Sequence, residues 1–116
     1  MAGPRLPLLD GRSVPQLGLG VWEVPRGETA RVVEQGLAAG YRLIDGAAIY
    51  GNEREMGQGI RAAGLPRDEV FVTTKVWNDR QGDARAAVLE SLGRTGLDRL
   101  DCVLIHWPAP WRGTFL

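Results

Sequence analysis

Apolar positions along the chain switch repeatedly between a two-residue and a three-to-four-residue period, and the switching predicts alternating strands and helices. Leu6-Pro7-Leu8-Leu9 and Ser13-Val14-Pro15 flank Asp10-Gly11. Such a pair between short apolar runs predicts a β-hairpin, because its turn positions tolerate positive φ. Leu17-Gly18-Leu19-Gly20-Val21-Trp22 follows as a glycine-rich strand, the sign of close packing or of a ligand near the backbone. From Gly27 to Ala39 the spacing is helical, with Ala30, Val33, Leu37 and Ala38 on one face and Gly40 as a left-handed cap. Leu43-Ile44-Asp45 is a second strand. Asn52 caps a second helix, with Glu53 and Glu55 in its first turn as a helix-dipole preference. Met56 and Ile60 form that helix's seam, and Gly64 with Pro66 ends it. Glu69 to Trp77 is a third strand, dense in β-branched and aromatic residues. Asp83 caps a third helix with a seam of Ala84, Val88 and Leu92 and with Leu89 beside it; Gly96 ends it. Leu100 to Trp107 is a fourth strand, stopped by Pro108 and Pro110. The tail Trp111-Arg112-Gly113-Thr114-Phe115-Leu116 has no readable period.

The predicted order is a hairpin followed by β-α-β-α-β-α-β. Each β-α unit spans about 25–30 residues, the length of a right-handed crossover between parallel strands. In parallel sheets ligands bind outside the carboxyl ends of the strands. The chemically capable residues gather there: Trp22, Asp45, Tyr50, Lys75, Trp77, His106 and Trp107. Taken singly, each has a plainer explanation. Asp45 and Lys75 make an ordinary ion pair, Tyr50 a packed aromatic, His106 a satisfied interior ring, and the tryptophans core. A flavodoxin-like open sheet with its own ligand site also fits the alternation. Cys102 reads as a buried strand residue with no sign of reactivity.

Composition narrows the field. The chain has 116 residues with 14 basic and 14 acidic side chains, so no long-range field favours nucleic acid or an anionic membrane. Its length and 44% hydrophobic content suit one soluble domain over residues 1–116. No apolar run approaches the roughly 20 residues that span a bilayer, and Met1-Ala2-Gly3-Pro4-Arg5 lacks a signal-peptide core. A single cysteine and a single histidine leave no internal disulfide and argue against a Cys/His metal site. A cytoplasmic setting is the simplest expectation.

Several stretches together resemble the aldo-keto reductases, and within them the bacterial 2,5-diketo-D-gluconate reductase type. They are Gln16 to Trp22, Gly40 to Asp45, Ala47-Ala48-Ile49-Tyr50-Gly51-Asn52-Glu53, Thr73 to Arg80, and Leu104-Ile105-His106-Trp107-Pro108. The resemblance implies the amino-terminal half of an eight-stranded (β/α) barrel with a hairpin cap, truncated after the fourth barrel strand. It also implies NADPH-dependent reduction of an aldehyde or ketone, of sugar-ketone or dicarbonyl type, as a small-molecule substrate. The family's catalytic residues fall on Asp45, Tyr50, Lys75 and His106. Tyr50 is the implied proton donor, Lys75 the ammonium that makes it a better acid, Asp45 the anchor of Lys75, and His106 the donor to the carbonyl oxygen. Gly20, Val21, Asp45 and Lys75 are the implied cofactor contacts. Trp22, Tyr50, Trp77, His106 and Trp107 are the implied substrate contacts. Two departures stand out: Gly46 replaces the family's threonine, and the later strands that bring most cofactor contacts have no counterpart. No G-x-G-x-x-G replaces them, since Gly18-Leu19-Gly20 runs into Val21-Trp22-Glu23. The alternative is an inactive half-barrel or assembly module. Its two unpaired strand edges predict self-association or pairing with a complementary carboxyl-terminal half, with little activity alone.

Overall fold

A computed structural model describes residues 3–114. Residues 1, 2, 115 and 116 lie outside the described residues, so the expectations for the first two positions and for Phe115-Leu116 are not addressed. Strand β1 (Arg5–Pro7) pairs antiparallel with β2 (Ser13–Pro15). Gly11 supplies the positive φ of 87° that the turn needs, and Asp10 accepts the Arg12 N–H at 3.0 Å. Leu9, expected in the first strand, sits fully exposed in the turn.

Beyond the hairpin, β3 (Leu19–Gly20), β4 (Leu43–Asp45), β5 (Phe71–Val76) and β6 (Cys102–Ile105) form a parallel sheet in sequential order. Helices α1 (Arg26–Ala38), α2 (Glu53–Ala62) and α3 (Ala84–Thr95) connect them. The strands are shorter than their apolar runs. β3 has two residues, and just before it Gly18 presses its backbone on Leu43, where a Cβ would lie 2.7 Å from that side chain. A 3₁₀ turn over Arg67–Glu69 delays β5.

Outward residues of the sheet meet α1 and α2. Ile44 pairs in register with Val72, and both are 0% exposed. They join Val21, Val33, Leu37, Met56, Ile60, Val70 and Leu97 in one core. Burying each such side chain contributes about 1.5–3 kcal/mol. Helix α2 is wedged between its neighbours through glycine. A methyl on Gly57 would overlap the Thr95 carbonyl of α3, and one on Gly59 would overlap the Ala30 carbonyl of α1.

Helix faces correct the expected seams. On α1 the buried residues are Thr29, Val33 and Leu37, while Ala38 is exposed. The Thr29 hydroxyl reaches the interior because it donates to Pro25 O at 2.8 Å. On α3 the buried face is Ala87, Ser91 and Thr95, and the predicted Ala84, Val88, Leu92 and Leu89 are half-buried or exposed. Small residues win that interface because α2 offers glycine there and the backbones close up. Neither predicted cap works through its side chain. Asp83 pairs instead with Arg80 at 3.0 Å. Asn52 is buried, its Nδ2 donating to Val21 O at 3.0 Å and Val24 O at 3.1 Å. Cys102 is only half-buried, since β6 is the sheet's outer strand.

Candidate active site

Asp45 ends β4, and its register partner on β5 is Thr73. Side chains alternate along a strand, so Asp45, Thr73 and Lys75 share one face. The Lys75 Nζ donates to Asp45 Oδ1 at 2.9 Å and Oδ2 at 2.8 Å, to Gly46 O at 2.9 Å, and reaches Tyr50 Oη at 3.3 Å. The Thr73 hydroxyl donates to Asp45 Oδ1 at 2.5 Å. The pair is shielded unequally, with side chains 13% exposed for Lys75 and 35% for Asp45. Lys75 is also the only lysine, the other basic residues being arginine. Arginine stays charged, whereas lysine offers a compact head that fits a crowded site. That contrast was readable in the sequence and marks residue 75 before any coordinates.

Tyr50 closes a 3₁₀ turn (Ala48–Tyr50), after which Gly51 takes a φ of 75°. Upstream, Gly46 rests on the core. A Cβ there would lie 2.6 Å from Met56 Sδ, and the backbone carbonyl accepts from Lys75 Nζ. His106 follows β6, and its N–H extends the ladder to Val76 O at 3.1 Å. Its ring stands edge-on to Tyr50 with centroids 5.8 Å apart and to Trp77 at 5.1 Å. Its Nδ1 is buried without a hydrogen-bond partner. Burial holds the imidazole below its ordinary value of 6.5, the Lys75 charge adds to this, and Asp45 opposes it. Burial thus favours the neutral ring.

A cleft of about 520 Å³ opens over this group, lined by Trp22, Glu23, Ile49, Tyr50, Trp77, His106 and Trp107. Glu23 and Ile49 were absent from the predicted lining. Glu23 holds a φ of 63°, an uncommon backbone state for a residue with a side chain. A second cavity of about 470 Å³ shares only Ile49 and Trp77 with the cleft; opposed Arg and Glu/Asp side chains line much of the rest, and none of Asp45, Tyr50, Lys75 or His106 reaches it.

The predicted site residues fall into groups. Asp45, Lys75 and Tyr50 meet within hydrogen-bonding distance; His106 touches the Tyr50 ring but bonds none of the three. Trp22 and Trp107 are more than half exposed, whereas Trp77 is half-buried and stacks at a tilt on Trp107 at 5.4 Å. Gly20 borders open space, with nothing within 4 Å of where a Cβ would be. Val21 is wholly buried; its N–H donates to Asp45 O at 3.1 Å, and its carbonyl accepts from Asn52. Among the described residues no cluster of His, Cys, Asp and Glu could hold a metal, and no helix is long and apolar enough to cross a membrane.

Glu53 corrects a prediction. It is 2% exposed and serves as far more than a favourable charge at a helix start. Its carboxylate accepts from Thr74 Oγ1 at 2.6 Å, Ser91 Oγ at 3.1 Å and Arg94 Nε at 2.8 Å. Periodicity carries no trace of this role, because every partner is distant in sequence.

Comparison with known proteins places this arrangement. The chain is 50% identical over 118 residues to an aldo-keto reductase of Mycobacterium sp. (strain KMS), covering 100% of this chain and 43% of that protein. It is 50% identical over 107 residues to the methylglyoxal reductase DkgA of Yersinia pestis, covering 92% of this chain and 39% of that protein. Its backbone superposes on an aldo/keto reductase from Brucella melitensis with a TM-score of 0.91 at 45% identity, over 97% of this chain and 44% of that one. A Bombyx mori aldo-keto reductase in complex with NADP gives a TM-score of 0.87 at 38% identity, over 93% and 39% of the two chains. The chain thus spans about two fifths of the length of these relatives. The profile of the Aldo/keto reductase family matches residues 15–113, and with the barrel-type parallel sheet this makes the chain a member of that family, carrying its amino-terminal part.

Proposed function

We propose that this chain supplies the proton-donating half of an NADPH-dependent carbonyl reductase acting on small dicarbonyls or sugar ketones. The observation that carries the reading is the Lys75 ammonium, fixed by Asp45 and Gly46 and 3.3 Å from the Tyr50 hydroxyl at the base of an aromatic cleft. The substrate carbonyl sits over Tyr50 Oη, which gives its proton to the carbonyl oxygen. Lys75 stabilises the phenolate left behind, and Asp45 keeps that ammonium aimed. The neutral His106 ring orients the carbonyl by donating a hydrogen bond to its oxygen. Trp22, Trp77 and Trp107 exclude water. When bound, NADPH supplies the hydride. The open face at Gly20 and the accessible edge of Asp45 beside Lys75 fit its reacting end, with Val21 behind them. Relatives named methylglyoxal reductase support the dicarbonyl class, and the NADP complex of a family member supports the cofactor. The reading is tested by following NADPH consumption with methylglyoxal or a sugar ketone, using this chain complemented to full barrel length. Tyr50→Phe is expected to lower turnover by about 10²–10⁴-fold. Unchanged turnover in that variant, or none in the complemented parent, removes the proposal.

One observation favours a second reading, in which the chain by itself is a non-catalytic half that pairs with a complementary carboxyl-terminal half. Strand β6 leaves Val103, Leu104 and Ile105 36%, 45% and 50% exposed. A bare apolar outer strand is an association surface. Light scattering tests it: a lone, cooperatively melting monomer indifferent to the added half counts against it. In either case the expected setting is cytoplasmic.

A further inference from the structure

We infer that Glu53 is a positioning residue, whose bond to Thr74 holds the Tyr50-bearing turn against Lys75. The inference rests on the proposed working pair of Tyr50 and Lys75. An isolated buried carboxylate is expensive, and a buried ion pair is often no more stabilising than apolar packing. The Glu53 side chain is 1% exposed and paired with Arg94 at 2.7 Å, so its justification lies in what it locates. It opens α2, three positions after Tyr50. Its bond to the Thr74 hydroxyl, at 2.6 Å, grips the residue directly before Lys75. Alternation along β5 puts Thr74 on the outer face, at 1% exposure, and Lys75 on the inner one. Fixing one therefore fixes the direction of the other.

The covalent path from Gly46 to Glu53 closes into a ring with β5. One end is tied to Lys75 Nζ through the Gly46 carbonyl at 2.9 Å, and the other to Thr74 through Glu53. Asn52, beside Glu53, binds the same segment to the loop after β3. Within this ring the Tyr50 contact is the longest made by the ammonium, 3.3 Å against 2.8–2.9 Å for the others. It is the contact that moves first when the turn is released. Ser91 and Arg94 hold the Glu53 carboxylate from α3 and keep it aimed at β5.

The lone lysine makes the test direct. Lysine-selective isotope labelling of the whole chain gives one side-chain signal, and its nuclear Overhauser contact to the Tyr50 ring reports the pair without any cofactor. Thr74→Val keeps shape and removes only the tie; Glu53→Gln weakens it. Both are expected to reduce the contact several-fold and to shift the Lys75 signal, Thr74→Val more cleanly. Ser91→Ala trims a partner on α3 and should leave most of the contact. If Thr74→Val lowers the denaturation midpoint yet leaves contact and signal unchanged, Glu53 is only structural and the inference is overturned. Should Glu53→Gln fail to fold, Thr74→Val decides alone. Absence of the contact in the parent chain would instead remove the Tyr50–Lys75 reading itself, a distinct result.

Discussion

The centre of the sheet and its β6 edge use the same kinds of residue and meet opposite fates. On β4 and β5, Ile44 and Val72 lie at 0% exposure beneath α1 and α2. On the same face of β6, Val103 and Ile105 are at least one third exposed although they are just as apolar. What differs is the layer above them, since α3 turns its small residues to α2 and leaves its larger apolar ones half-covered. An apolar side chain therefore marks where burial is possible, while the neighbouring unit decides whether it happens. The site straddles this boundary. Asp45, Lys75 and Tyr50, on or just after the central strands, are bonded to one another, while His106, beyond the edge strand, keeps a buried Nδ1 with no partner.

The largest contrast should come from trimming each of these regions. Ile44→Ala is expected to cost about 2–5 kcal/mol of unfolding free energy, and Ile105→Ala within about 0.5 kcal/mol, in urea titrations. Equal losses would break the comparison by showing that the bare edge is covered in solution. Gly57→Ala probes the glycine contact that sets the face of α3, and overpacking there should cost about 1–3 kcal/mol in the same titration. Asn52→Ala should cost about 1–2 kcal/mol, because the buried Val21 carbonyl and the half-buried Val24 carbonyl lose their donor.

The smallest effect is on pH. As the only histidine, His106 gives one imidazole signal in proton NMR. Burial and then the Lys75 charge disfavour the imidazolium in the fold, so its titration point should fall below 6.5. As pH drops, the unfolded chain takes up that proton first. The ring's contribution to stability is then complete above about 6.5 and shrinks toward the folded ring's lower titration point. Lys75→Met should move the titration upward, because it removes a repelling charge. A midpoint at or above 6.5 in the parent would show the ring to be wetter than the structure has it.

Local pattern was enough for much of the architecture. The Asp10-Gly11 turn, the alternation of strands and helices, and the placement of Asp45, Lys75 and His106 at one end of the parallel sheet all follow from periods and breakers within a few residues. Tertiary packing decided what depends on distant partners. Glu53 became a buried anchor because Thr74, Ser91 and Arg94 converge on it. Asn52 turned its side chain to stitch the loop after β3, and α3 buried Ala87, Ser91 and Thr95 where Gly57 on α2 lets the backbones close up. Periodicity ranks positions by the size of their apolar side chains, but closeness of approach and satisfaction of buried polar groups depend on residues far apart in the chain.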